Sequence, residues 1–264
     1  MKKMEKCDIR NEKGPNRPES AQIGPKKALT STLWHVICSF RAKTHQNPDT
    51  KEPWEMRSSR EKTIDKSLVL LNLRNSFVDS KTKLQKLIFL CENELINRRV
   101  LAFNYTFFRY RHGPYSRQLA EDRKELGRTG LTSGDSLSPR GRHLADIFRE
   151  VLKAYPANEE TIGVIENTAR TYGRYSGSRL KQHVYDMTVF CYDLGKRMRV
   201  EDIPKGKDIF APQEMQDMFR EPIQIDDDDL ESMELSLQMT EADLAAMRRP
   251  ASEDFEKTFL SVCP

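Results

Sequence analysis

From Glu61 onward apolar side chains recur at intervals of three and four residues. Ile64, Leu68, Leu71 and Asn75 mark one face, widened by Val69 and Leu70, and predict a first amphipathic helix that Asp79-Ser80 ends. A second stripe, Leu84, Leu87, Ile88, Cys91 and Leu95, predicts a helix over 82–97 that leaves Lys81, Lys83, Lys86, Glu92 and Asn93 for solvent. The period then drops to two. Leu101, Phe103, Tyr105 and Phe107 alternate with Ala102, Asn104, Thr106 and Phe108, which predicts a strand over 101–110.

His112-Gly113-Pro114 closes that strand, and a third helix over about 115–126 follows on a thin stripe of Tyr115, Leu119 and Leu126. Ser133-Gly134-Asp135 between Leu131 and Leu137 predicts a small hairpin. Ser138 before Pro139 predicts a capped helix carried by Leu144, Ile147, Phe148, Val151 and Leu152. Asn158 is expected to cap the next helix, which uses Ile162, Ile165 and Ala169. A last core helix is expected from Ser176 or Ser178 through Leu180, Val184, Met187 and Phe190. Further on, Leu230, Met233 and Leu237, then Leu244 and Met247 behind a Thr240/Asp243 capping box, predict short amphipathic helices.

Composition divides the chain in three. Residues 1–60 combine Gly14-Pro15, Gly24-Pro25, Asn47-Pro48 and Glu52-Pro53 with one short apolar stretch, Leu29 to Phe40, and read as a disordered basic extension. Residues 61–200 read as one helical domain, and 201–264 as an acidic tail. Up to residue 200 there are 38 Lys+Arg against 23 Asp+Glu; after it the balance is 6 against 17. The near-neutral total therefore hides a dipole between domain and tail. The fold class expected is mainly α, a winged-helix-like domain with a short β hairpin or strand, flanked by disordered tails. No apolar run reaches the roughly 18 to 20 residues that cross a bilayer, so no membrane partner is expected. Five scattered cysteines suit reduced thiols and a cytoplasmic location.

Catalytic chemistry finds little support. There is no Cys-x-x-Cys or His-Glu-x-x-His spacing for a metal, and Gly195-Lys196 and Gly206-Lys207 lack the upstream glycine of a phosphate loop. Ser-x-x-Lys occurs twice, at Ser80–Lys83 and Ser178–Lys181, which shows how readily it arises by chance. Cys91 lies on an apolar stripe, as inert filling does. No catalytic residue, metal or cofactor is expected. The stronger signal is basic: Arg109, Arg111, Arg117, Arg123, Lys124, Arg128, Arg140 and Arg142 surround the third helix and the hairpin, against Glu121, Asp122, Glu125 and Asp135. Helix, hairpin and Ser-Pro-led helix follow in the order of a winged-helix unit, whose helix and wing can face nucleic acid.

Lys83-Leu84-Gln85-Lys86-Leu87, then Phe103-Asn104-Tyr105 and Tyr110-Arg111-His112-Gly113-Pro114-Tyr115-Ser116, resemble the SocA-like Panacea domain and its winged-helix-like relatives over about residues 61–190. Leu137-Ser138-Pro139-Arg140-Gly141 and the segment from Tyr172-Gly173 to Val184-Tyr185 are similar to that family's later elements. The chain departs from the family where Phe107-Phe108-Arg109-Tyr110 and the inserted Arg111-His112 stand in place of Ala-Trp before Tyr-Gly-Pro. The resemblance implies a helical domain without catalytic residues, of the kind found beside toxins and thought to act as antitoxins. The function expected is therefore a non-enzymatic binding protein, an antitoxin or transcriptional regulator that sequesters a protein partner such as a cognate toxin, with duplex DNA as a second candidate ligand. The alternative is an adaptor with no nucleic-acid role. Leu230, Met233 and Leu237 are the tail's candidate anchors, either for a partner or for docking onto the chain's own basic domain.

Overall fold

The computed structural model describes residues 57–215 and 223–248, and expectations for the other residues, including the Trp34 segment, lie outside them. Helices dominate. The first, α1 (Ser59–Asn75), is started by a reciprocal capping box in which Ser58 Oγ accepts from the Glu61 N–H at 3.2 Å and the Glu61 carboxylate accepts from the Ser58 N–H at 2.6 Å. Ser80 caps α2 (Lys81–Asn97) by accepting from the Lys83 N–H. The second helix has the extent its apolar spacing predicts to within one residue, whereas α1 starts two residues before Glu61 and stops at Asn75, short of Asp79-Ser80.

Their burial differs from the amphipathic expectation. Lys83, Lys86, Glu92 and Asn93, expected in solvent, are all buried, and only Lys81 of that group is exposed. The packing around the helix explains this: α2 contacts α1, the hairpin, α3, α5 and α6, so no broad face remains for water. The buried polar groups must then find partners in protein. Gln85 takes both backbone groups of Ser116, Lys86 donates to the Pro114 carbonyl, and Glu92 accepts from the Phe103 N–H.

The predicted strand over 101–110 is half a strand. Residues 101–105 are buried on both sides, and their polar backbone is met by side chains rather than by a neighbouring strand. The N–H groups of Phe103, Asn104 and Thr106 donate to Glu92, Asp65 and Gln118 at 3.2, 2.9 and 2.8 Å. Ladder pairing begins only at β1 (Phe107–Tyr110), which turns through Arg111-His112 into β2 (Gly113–Tyr115). The other edge of β1 pairs antiparallel with β7 (Asp208–Phe210), giving the order β2-β1-β7. Phe89, Phe107 and Phe210 pack ring to ring beneath it, Phe89 and Phe210 stacked at 5.0 Å.

Next come α3 (Arg117–Arg128), the two-residue strands β3 (Thr132–Ser133) and β4 (Ser136–Leu137), and α4 (Pro139–Lys153), in the expected order. Ser138 caps α4 by accepting from the Gly141 N–H at 3.0 Å while donating to the Gly130 carbonyl at 2.7 Å. A Cβ on Gly141 would stand 1.9 Å from the Leu131 carbonyl oxygen, so this position admits only glycine.

Then α5 (Glu159–Tyr172) follows, but Asn158 does not cap it with a side-chain hydrogen bond. Its amide instead donates to the Leu152 and Gln224 carbonyls and accepts from the Gln224 N–H. Helix α6 (Gly177–Asp186), capped by Ser176, stops before Met187, and Phe190 belongs to a hairpin, β5 (Thr188–Cys191) with β6 (Lys196–Arg199). Val189 and Cys191 point inward and Thr188 and Phe190 outward, so the local period is two.

After the short helix α7 (Pro212–Met215), the tail continues the same core. Ile223 and Ile225 are buried, and α8 (Asp227–Gln238) lays Met233 and Leu237 against α1 and α4, with Leu230 partly buried beside them. Tyr155 ties it down, its hydroxyl donating to Asp229 at 2.8 Å and accepting from the Asp226 N–H at 3.1 Å. The last described element is α9 (Glu241–Arg248), introduced by Thr240 and Asp243 as their capping-box spacing predicts.

Candidate functional site

Two places concentrate ionisable groups inside the protein. In the first, the Arg57 guanidinium bridges Asp65 (2.7 Å) and Asp122 (2.8 and 3.0 Å), and the Tyr105 hydroxyl donates to Asp122 at 2.8 Å. Burial raises Asp65 to about 7 against the pull of Arg57, and burial beside Asp122 and Asp65 raises Tyr105 as well. Every member is occupied by the others, and the network joins the start of α1, the 103–105 segment and α3. Its geometry is that of a fastening rather than of a reacting centre.

The second place opens to solvent. The first turns of α2, the β1–β2 turn and α3 enclose a cleft of about 260 Å³, walled by Leu84, Pro114, Tyr115, Leu119 and Ala120 and rimmed by Lys81, Arg123 and Lys124. Tyr110 stands at its edge, 54% exposed, in an aromatic cluster with Phe108 and Tyr115 at centroid distances of 5.4 to 5.8 Å. Lys86 reaches the cleft from below. Its residue is 3% exposed, its Nζ donates to the Pro114 carbonyl at 2.8 Å, and burial, with Arg109 and Lys181 near, brings the ammonium down to about 7. Gly113, at φ +98°, lets the chain pass so closely that an added Cβ would lie 3.0 Å from the Tyr185 ring and 3.2 Å from Lys86.

The Lys-Leu-Gln-Lys-Leu run and the Gly-Pro-Tyr-Ser turn are thus two halves of one construction. Gln85 and Lys86, adjacent on α2, hold Ser116 and Pro114 respectively, and so set the cleft's width. Neither residue figures among the candidate binding residues, because a lysine on a helix otherwise reads as solvated. The signal available was the adjacency of two polar side chains to an apolar stripe on both flanks.

The eight bases of the sequence cluster divide into two sets. Arg109 is buried, donating to the Val200 and Tyr110 carbonyls; Arg123 binds Asp135 and the Gly134 carbonyl; Arg140 donates to Thr129 and Ser236; Arg142 donates to Leu137. These four hold backbone. Arg142 is exposed even so, as are Arg111, Arg117, Lys124 and Arg128, and the last three share the outer face of α3 with Glu121, which pairs with Lys124 at 2.7 Å. Arg117 also lies over the Phe108 ring. The tail's candidate anchors face inward, Met233 and Leu237 being 2% and 4% exposed within the chain's own core.

Family models, curated proteins and solved structures return no match to this chain.

No group of three His, Cys, Asp or Glu side chains could hold a metal ion among the described residues, and no described helix is long and apolar enough to cross a membrane. Cys91 is buried, with its thiol pushed up to about 12 by burial and accepting a hydrogen bond from Asn72, and it is apart from the cleft.

Proposed function

We infer that the chain is a non-enzymatic binding module of the Panacea-like kind, an antitoxin or regulator that holds a protein partner, and that the cleft between α2, the β1–β2 turn and α3 is where the partner docks. The observation that carries this reading is the cleft's construction. Its walls are apolar and its rim is cationic, which suits an apolar side chain presented by an acidic segment. The exposed aromatic cluster at its edge supplies the anchors on which such interfaces depend.

Duplex DNA is the second reading, and Arg117, Lys124 and Arg128 on one exposed helical face favour it. It is the weaker of the two, because Arg123, Arg140 and Arg142 already bind protein carbonyls and Glu121 divides what remains. An adaptor role without nucleic acid uses the same cleft.

The test is co-expression with the neighbouring reading frame. Its product should be lethal alone, harmless beside this chain and recovered with it on purification. Ala120→Trp, which fills the cleft from α3, should abolish both rescue and recovery without lowering the melting temperature. Rescue that survives Ala120→Trp removes the cleft from the function. Tight duplex binding that falls steeply with salt, and is lost when Arg117, Lys124 and Arg128 are reversed, would move the reading to nucleic acid.

A further inference from the structure

We propose that the floor of the cleft is a carboxylate site centred on Lys86, which takes the acid group of a molecule whose apolar body fills the cleft above it. The inference deepens the docking reading and rests on it in one respect, that the cleft is a binding site at all.

Three cations gather here with no counter-ion. Arg109 lies over one face of the Tyr185 ring at 4.8 Å and Lys181 approaches the same ring at 5.3 Å, while Tyr185 and Lys86 both crowd Gly113. None of the three forms an ion pair with a carboxylate among the described residues. A buried ammonium needs an acceptor for each of its N–H groups, and Lys86 has one, the Pro114 carbonyl. Lys86 is itself one of the residues that line the cleft.

Charge selects the ligand. Of the three cations Lys86 alone is among the residues that line the cleft, and one ammonium matches the single charge of a carboxylate and falls short of that of a phosphate dianion. The walls select the remainder. Leu84, Pro114, Leu119 and the Tyr115 ring favour an aromatic or branched apolar body. A partner segment that places a carboxylate beside one large apolar side chain presents this combination.

The probes are N-acetyl-phenylalanine, its neutral amide and phenyl phosphate, titrated into the full chain at low salt and followed by protein NMR. The acid should bind about tenfold more tightly than the amide, as a charge-assisted pair requires. Lys86→Met should erase that difference, so that acid and amide bind alike whatever the loss of the Pro114 contact does to both. If Lys86→Met does not fold, Lys181→Met keeps the test alive, since Lys181 is only half-buried and contributes charge alone; it should weaken the acid several-fold and spare the amide. Equal binding of acid and amide by the unaltered chain overturns the site, as does a preference that persists in the folded Lys86 variant. Phenyl phosphate binding more tightly than the acid overturns the carboxylate assignment. Failure of the cleft itself is separately visible, because then neither the acid nor the amide binds and Ala120→Trp leaves partner rescue intact.

Discussion

The side-chain amide of Gln85 meets the backbone of Ser116 from both sides, accepting from its N–H at 2.8 Å and donating to its carbonyl at 2.9 Å. A glutamine thereby does what a neighbouring strand would do, at the point where the hairpin ends and α3 begins. Ser116 in turn caps α3 by accepting from the Leu119 N–H. Gln85→Leu keeps the volume and removes both bonds, leaving the buried Ser116 N–H without a partner and its carbonyl with the Ala120 N–H at 3.3 Å. The expected loss is roughly 1 to 3 kcal/mol of unfolding free energy, measured by urea denaturation. A change under about 0.5 kcal/mol, the range of neutral surface changes, would show that the clamp is not needed to hold the turn.

Glu92 gives a pH prediction. Its carboxyl is fully buried, one oxygen accepts from the Phe103 N–H, the other has no partner, and burial raises it well above its ordinary 4.5. The folded protein therefore keeps a proton that the unfolded chain releases above 4.5, so stability falls as pH rises from there towards the folded-state value. Glu92→Gln keeps an acceptor for Phe103 and has no proton to lose. Its stability should exceed that of the unaltered chain by a margin that widens from pH 5 to pH 8. A constant margin across that range would show Glu92 to be ionised in the folded protein.

Much of the helical framework was legible in the sequence, and the reasons are local. Ser138-Pro139 and Ser176 are caps that act within one turn, and the stripes of α2 and α4 sit within about two residues of their predicted bounds. What was illegible depends on distant partners. Strand β7 is three residues whose pairing lies about a hundred positions away, and residues 101–105 look like a strand although side chains from α1 and α2 take the place of its neighbours. Asn158 sits where a cap would, yet the tail claims its amide. Of the site, the basic cluster was legible as composition. Which bases remain exposed was not, because that depends on which carbonyls they reach.

Leu87 lies fully buried at the centre of α2. Leu87→Ala should cost roughly 2 to 5 kcal/mol through lost burial and an unfilled cavity. Cys91→Ser, one turn further on, should lower stability without altering binding in the cleft, since its thiol faces Asn72. A Cys91 variant that keeps its melting temperature but loses partner binding would contradict the assignment of that thiol to the core.

The exposed and the occupied bases should separate cleanly on mutation. Reversing Arg117, Lys124 and Arg128 together alters exposed side chains of α3, Arg117 losing its place over the Phe108 ring, and should leave the melting temperature within about 2 °C, as exposed charges do. Arg140→Glu should unfold more readily, because the guanidinium donates to Thr129 and Ser236 and so joins α3 to the tail. Equal melting of both variants would mean that the carbonyl contacts of Arg140 carry no stability.

The tail's mode of attachment can be decided by salt. Its acidic run suggests electrostatic docking, but Arg60 and Asp227 meet at 3.4 Å with Asp227 almost wholly exposed, where an ion pair contributes little. Met233 and Leu237 are buried on α1 and α4, and Ile223, Ile225 and the Asn158 clamp extend the contact. A chain ending at Met215 should therefore lose several degrees of thermal stability and gain an apolar surface on α1. A peptide of residues 223–248 added in trans should restore it in a saturable way, because ligand bound only by the folded form raises its stability. Raising the salt from about 0.05 to 0.5 M, which shortens screening lengths to a few ångströms, should change that peptide's affinity by less than about threefold. A drop of tenfold or more would make the acidic residues, rather than the buried methionine and leucine, the means by which the tail holds its domain.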